Sequence, residues 1–476
     1  MAKKKSLISM LADNNISFDF IQNEKGLKAY EDDFVSIDAD NADEYAKTGN
    51  FSGLSIYSFT PDEIPNFDKV CTDAGAWTYT LPITEIALSE MTEKQVLALL
   101  GVVGGQLNSL TLNYTKFNKI ELDKIVKACP KLSKLELSDD NWERDNRLPV
   151  ELDKIGKQKF ESIICRQFAI FSQVDWSALN IEALEFDECE TSLLTLPNKL
   201  RSFKTNTKEE KVTITGAAEL KDLSLFADNE EAVQVNLSNL KGLEILDLQI
   251  AQADGANVSL PTSLKSLKLQ AAIEKKCSLD FIENLSNLES LEIVTTSKSF
   301  ADFDKVSNLK KLKKFSLDEN GVGENGFKSA FKPEILEGLK ELAELELRSV
   351  VNTKDLKFLK SLPSLSVFNL MTSRLATLDG LESSTVEKLY LHDCGAIGDL
   401  SKLCKSPVKD FKYYISGFWG HEVELSPKGI LTLVDSGVND VEINLDKVKM
   451  TKKDFKSIEK TFAVELEDGT LFLERK

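Results

Sequence analysis

The segment Phe281 to Ile293, FIENLSNLESLEI, carries an apolar stripe that it cannot bury by itself, and this limits what the chain can fold into. Ile282, Leu285, Leu288 and Leu291 follow at intervals of three, and Leu291 to Ile293 closes to an interval of two. Intervals of three suit a tight helical or irregular turn, whereas an interval of two belongs to a strand whose alternate side chains face one way. Thirteen residues with this pattern need neighbours that repeat it.

The chain supplies them. From Phe51 onward the pattern apolar-x-x-apolar-x-apolar recurs, with its central residue at Leu54, Ile86, Leu110, Leu135, Ile163, Leu184, Phe203, Leu223, Leu246, Leu267, Leu291, Phe315, Leu345, Phe368, Leu389, Phe411 and Val441. These are seventeen copies, with Thr205 in the last apolar place of the Phe203 copy, and their successive spacings run from 19 to 32 residues. A period of this length marks a stacked array in which each unit buries its apolar face against the next.

With this pattern the chain, from roughly Phe51 to Asp446, resembles the leucine-rich-repeat superfamily. Leu122, Ile125, Val126, Cys129, Pro130, Leu132, Leu135 and Leu137 resemble the longer, helix-containing cysteine-type repeats. Leu196, Pro197, Leu200 and Phe203, with Leu260, Pro261, Leu264 and Leu267, look like short LP-containing repeats of bacterial effectors. Leu285 to Ile293, and Leu359, Leu362, Leu365 and Phe368, resemble internalin and phosphatase-regulator repeats. The resemblance implies an α/β leucine-rich-repeat solenoid of about 17 repeats, curved, with a parallel concave sheet and helical or irregular convex segments. It implies architecture, not activity.

Three regions follow. Residues 1–50 lack the repeat and read as a β-rich N-terminal cap, with Ile16, Phe18 and Phe20 alternating and Phe34, Val35 and Ile37 supplying a second strand. Residues 51–446 form the solenoid. Residues 447–476 read as a C-terminal cap: a helix over Thr451 to Lys460, then a hairpin of Ala463 to Leu466 and Thr470 to Leu473 turning at Asp468-Gly469. Thr92 with Gln95 forms a capping box, and Ser426 with Pro427 opens another helix that Gly437 stops. The superfamily places Asn or Cys three residues after the last strand leucine, to satisfy backbone groups in the turn. Only Cys189, Asn320 and Cys394 match; Thr296 and Ser373 are among possible substitutes, whereas Phe168 and Val350 cannot serve. Irregular turns are therefore expected.

Composition narrows the function. A formal charge of -18 opposes general binding to nucleic-acid phosphates and favours a basic protein partner. No apolar run has transmembrane length and no signal-peptide core follows Lys3, Lys4 and Lys5, so a cytoplasmic location is expected without a membrane partner. Seven scattered cysteines without a CxxC pair read as reduced, mostly buried thiols.

Catalytic motifs are weak. Gly321, Gly323 and Gly326 spell GxGxxG, but Glu324 stands among them and the expected context is a loop rather than a βαβ unit. His392 and His421 are the only histidines and lie in no metal spacing. Glu182, Glu185, Asp187, Glu188 and Glu190 lack the spacing of a calcium loop and read as a solvated acidic patch. No catalytic residue, cofactor or metal is expected.

Strand alternation gives the stronger argument. If Leu389 and Leu391 point inward, Tyr390 and His392 point outward, and the same parity exposes Glu346 and Arg348, Asn369 and Met371, and Lys412 and Tyr414. The candidate protein-binding residues are Arg348, Met371, Tyr390, His392, Lys412, Tyr414 and Trp419; Trp419 either flanks the patch or covers the core. The expected function is a non-catalytic protein-interaction scaffold using its concave face. Alternatives are an inhibitor or immunity-type protein for a basic enzyme, and a secreted or surface adhesin or effector. The sequence does not determine the oligomeric state.

Overall fold

The computed structural model describes residues 5–13, 16–22, 51–57, 77–78, 84–113, 117, 119–139, 147–170, 176–191, 195–208, 211–228, 234–250, 257–272, 278–296, 300–320, 330–350, 352–394, 397–414, 425–445 and 448–476. They fall into two compact units, one of Met1–Thr207 with Ile214–Ser224, the other of Lys208–Thr213 with Leu225–Lys476.

In the first unit the strand Ser17–Gln22 pairs antiparallel with Phe51–Tyr57. Parallel strands then follow in chain order: Glu85–Ser89, Ser109–Asn113, Lys134–Ser138, Lys159–Arg166, Asn180–Asp187 and Ser202–Thr207. Leu54, Ile86, Leu110, Leu135, Ile163, Leu184 and Phe203 occupy one register line, so the residues picked out by the pattern stack directly on one another. All seven are buried. The N-terminal region also contains a helix, Leu7–Asp13, which alternation in the sequence did not indicate; Phe34 to Ile37 lie outside the described residues.

The helix Glu93–Val103 begins with the expected capping box, in which the Thr92 side chain accepts from the Gln95 amide and Gln95 accepts from the Thr92 amide. It ends at Gly104, where a Cβ would lie 2.5 Å from the Ala128 carbonyl oxygen and 2.8 Å from Cys129 Sγ. Only glycine lets the next helix, Leu122–Ala128, come this close.

The second unit carries parallel strands Ile245–Ile250, Ser266–Ala272, Ser290–Thr296, Lys314–Asn320, Glu344–Arg348, Val367–Met371, Lys388–His392, Asp410–Tyr414 and Asp440–Asn444. Leu246, Leu267, Leu291, Phe315, Leu345, Phe368, Leu389, Phe411 and Val441 again share one register line and are buried. Three shorter strands, Lys211–Thr213, Gln234–Asn236 and Asn257–Ser259, form a separate parallel sheet that buries Val212, Val235 and Val258.

The Phe281 to Ile293 segment shows why the period changes. The amides of Ile282, Leu285 and Leu288 donate to the carbonyls of Leu279, Ile282 and Leu285, so each three-residue step closes one tight turn. The amides of Glu289 and Ser290 then both reach the Lys265 carbonyl of the preceding repeat, after which the chain runs as a strand. This pair of hydrogen bonds to one carbonyl recurs at Lys313 and Lys314 on Glu289, at Ser366 and Val367 on Ala343, and at Lys409 and Asp410 on Glu387. Ile282, Leu285, Leu288, Leu291 and Ile293 are all buried. Each contributes about 1.5–3 kcal/mol of apolar burial.

Turns after the strands vary as expected, with one correction. Ser349, Thr372 and Asp393 adopt positive φ, and their amides donate to Met371, His392 and Tyr414 of the next strand. Cys189 and Cys394 are buried beyond such turns, and their thiols donate to the carbonyls of Cys165 and Leu370. Asn320 does not take this role: it is exposed, and Thr296 is half-buried. The strands Ser290–Thr296 and Lys314–Asn320 run longer, so alternation carries Thr295 and Glu319 inward instead.

The chain's last segment is a short helix, Lys452–Ile458, capped reciprocally by Thr451 and Asp454, and a hairpin of Phe462–Glu467 and Thr470–Arg475. Thr470–Arg475 pairs antiparallel with Asp440–Asn444. Arg475 fastens it by donating from Nε to Val438 O at 2.8 Å and from Nη2 to Ser436 O at 2.5 Å, with its guanidinium 4.7 Å from the Phe462 ring centre.

Candidate interaction face

Period-two alternation places two rows of side chains on the face opposite the buried leucines. In one row Asp318, Arg348, Met371, His392 and Tyr414 are register partners; in the other Glu346, Asn369, Tyr390, Lys412 and Glu442 are. Arg348 and His392 are exposed, and Met371, Tyr390, Lys412 and Tyr414 half-buried, while Leu345, Leu347, Leu389, Leu391, Phe411 and Tyr413 between them are buried. The structure thus brings six of the seven candidate residues onto one face. Trp419, with His421, lies outside the described residues.

These side chains hold one another. Tyr390 Oη donates to Asp410 Oδ2 at 2.5 Å, and Lys412 Nζ stands 5.6 Å from the centre of the Tyr390 ring. Lys412 Nζ also meets Glu442 Oε2 at 2.9 Å, and Tyr414 hydrogen-bonds the same carboxylate. The rings of His392 and Tyr414 lie 6.0 Å apart, tilted by 39°, and His392 Nδ1 is 3.2 Å from Asp393 Oδ2. Arg348 reaches Asp318 at 3.6 Å and Glu346 at 3.3 Å.

Burial, then the Asp410 carboxylate, push the Tyr390 phenol up to about 12. Tyr414 is pushed up by burial and then by Glu442. Glu442 is itself pushed up by burial, but hydrogen bonds from Tyr414 and Lys412 outweigh this and hold it below the usual carboxylate range. Burial raises Asp318 against the opposing pull of Arg348. The arrangement is a set of fixed aromatic and charged groups, suited to recognition.

Beside these rows, a cleft of about 590 Å³ opens over the strands Asp410–Tyr414, Asp440–Asn444, Thr470–Arg475 and Phe462–Glu467. Asp410, Asp440, Glu442, Glu465, Glu474 and Phe472 line it. The sequence signal for Glu442 was available, since it follows Val441 with the same parity that exposes Lys412. Nothing in the pattern indicated that Phe472 and Glu474 join this face, because that depends on the antiparallel pairing of the final hairpin.

No family model and no curated protein matches the chain. Among solved structures, the chain is similar to an internalin of Listeria monocytogenes, with 16% identity, 74% of this chain and 93% of the other covered, and a TM-score of 0.43. It is similar to a leucine-rich-repeat protein of Leptospira interrogans, with 16% identity, 79% and 97% covered, and a TM-score of 0.49. In the mouse RP105/MD-1 complex the match has 15% identity, covers 81% of this chain and 66% of the other, and has a TM-score of 0.49. The architecture is decided by the ladder itself, in which a buried leucine or its equivalent returns to one register line at each parallel strand.

The fold is a leucine-rich-repeat fold.

Other sequence candidates have structural roles in these leucine-rich repeats. Glu182 and Glu185 pair with Lys159 and Lys204, each at 2.8 Å, and Asp187 lies 3.7 Å from Arg166, so three carboxylates of the acidic run meet cations on neighbouring strands, while Glu188 accepts from Gln167. Burial raises the thiols of Cys129, Cys189 and Cys394, to about 12, 11 and 12 respectively, leaving them protonated at neutral pH. Gly321, Gly323 and Gly326 lie outside the described residues, as do Cys71 and Cys277. Among the described residues no group of three His, Cys, Asp or Glu is arranged to hold a metal, and no helix is long and apolar enough to cross a membrane.

Proposed function

We propose that this chain is a non-catalytic binding protein that seats a protein partner on the outward sheet face between Arg348 and Tyr414. The observation that carries the reading is the mutual fixing of Tyr390, Lys412, Tyr414 and His392 across adjacent strands. Side chains held before binding lose less rotamer entropy on binding, and aromatic residues, Met and Arg are enriched at interface centres. Register lines from Arg348 to Tyr414 span three strand spacings, about 14 Å, the scale of an interface centre.

The test is capture of the partner with the full chain, followed by cross-linking mass spectrometry and affinity measurement. Contacts on the face around Tyr390 are expected, with the double substitution Tyr390→Ala and Tyr414→Ala weakening binding more than about tenfold. Cross-links confined to other surfaces, or an unchanged affinity, reject this reading.

A further inference from the structure

We propose that the cleft over the final strands receives an extended segment of a partner protein that carries lysine or arginine at alternate positions. The proposal rests on the binding-protein reading and specifies which part of the partner meets this end of the sheet.

The sheet face here is charged in an unusual way. Asp410 stands directly opposite Asp440, and Asp440 directly opposite Glu474, on adjoining strands. Like charges placed directly opposite destabilise a sheet, and although Tyr390 donates to Asp410, a cation entering beside Asp440 and Glu474 relieves the row. Nearby cations are already engaged. Lys412 itself lines the cleft but is held by Glu442, and Arg475 is turned to the backbone carbonyls of Val438 and Ser436 and to the Phe462 ring. Among the described residues, Asp440, Glu465 and Glu474 have no cation within ion-pair distance. Phe472, half-buried in the cleft, has neither a ring nor a cation against it among those residues. The neighbouring contact of Lys412 with Tyr390 shows what such a ring can accept on this face.

Geometry favours an extended occupant. The Asp410 and Ala463 strands are separated by three strand spacings, about 14 Å, while layers of extended backbone pack about 10 Å apart. Along an extended chain, same-face side chains recur every two residues, about 6.6–6.8 Å. Asp440 and Glu442 have this pitch, as do Phe472 and Glu474 on the adjoining strand. A segment lying along the Thr470–Arg475 strand therefore brings one cation to Glu474 beside Asp440 and the next, two residues on, to the face of Phe472.

The experiment uses the full chain and a fluorescein-labelled nonapeptide alternating lysine with threonine, followed by fluorescence anisotropy at low salt. A glutamate–threonine peptide is the charge control. The paired substitution Asp440→Asn and Glu474→Gln is expected to weaken lysine-peptide binding at least about tenfold, whereas Glu334→Gln with Glu341→Gln, equal in charge but away from the cleft, changes it less than about twofold. Thermal unfolding provides the fold control: removing the opposed charges at Asp440 and Glu474 should leave the melting temperature equal or higher. Equal weakening by both pairs, unchanged affinity in the cleft pair, or no lysine-peptide binding overturns the proposal. If the peptide fails while a captured partner still cross-links around Tyr390, the cleft inference falls and the binding-protein reading stands.

Discussion

The Tyr390 phenol donates to the Asp410 carboxylate at 2.5 Å across adjacent strands, tying the candidate face to the edge of the acidic cleft. Folding raises the Tyr390 pKa from 10.0 to about 12, through burial first and Asp410 second. A group whose folded pKa is raised contributes stability that is fully present below the unfolded value and lost as pH rises through the folded one. Stability from this group should therefore fall between pH 10 and about 12. Phenolate absorbance should show late-titrating tyrosines, Tyr414 among them, and Tyr390→Phe should remove one of them. An identical titration in that variant would reject the assignment.

Leu291 and Glu292 are adjacent in sequence but belong to opposite faces of one strand. Leu291 is fully buried, whereas Glu292 is half-buried and reaches Lys268 at 3.5 Å. Leu291→Ala should destabilise the second unit by about 2–5 kcal/mol, and Glu292→Ala by less than about 1 kcal/mol. Chemical denaturation with hydrogen-exchange readout of the Ser266–Ala272 and Lys314–Asn320 strands would measure both. Similar losses would contradict the alternation.

Gly380 has φ of 103°, and a Cβ there would lie 2.4 Å from both Leu356 C and Lys357 N. Gly380→Ala combines a disfavoured backbone region with a backbone clash and should cost more than about 1 kcal/mol. At Gly105 nothing lies within 4 Å of the added carbon, so Gly105→Ala should change stability by less than about 0.5 kcal/mol. Thermal melts of the two single variants check the contrast, which a comparable shift at both positions would refute.

Much of the fold is legible because alternation is a local property. Once Leu291 and Ile293 are assigned inward, the parity of Glu292 follows, and equal pattern positions in consecutive repeats fall into register since a one-residue slip would bury the wrong face. Hence the row from Arg348 to Tyr414 could be read directly. The exchange of Asn320 for Glu319 could not, since the strand there extends beyond the pattern that defines it and shifts which residue meets the core.

The sequence by itself determined which side chains are inward and which outward along each repeat, through the period of the apolar residues. Only the tertiary structure decided which outward groups meet. Asp410 binds Tyr390 from 20 positions away, and Lys412 shares Glu442 with Tyr414, because strand spacing brings together residues separated by loops of unequal length. It also decided that Phe472 and Glu474 complete the cleft. The Asp468-Gly469 turn specifies a hairpin but not its neighbour; antiparallel pairing with Asp440–Asn444, secured by Arg475, sets that relationship through contacts distant in sequence.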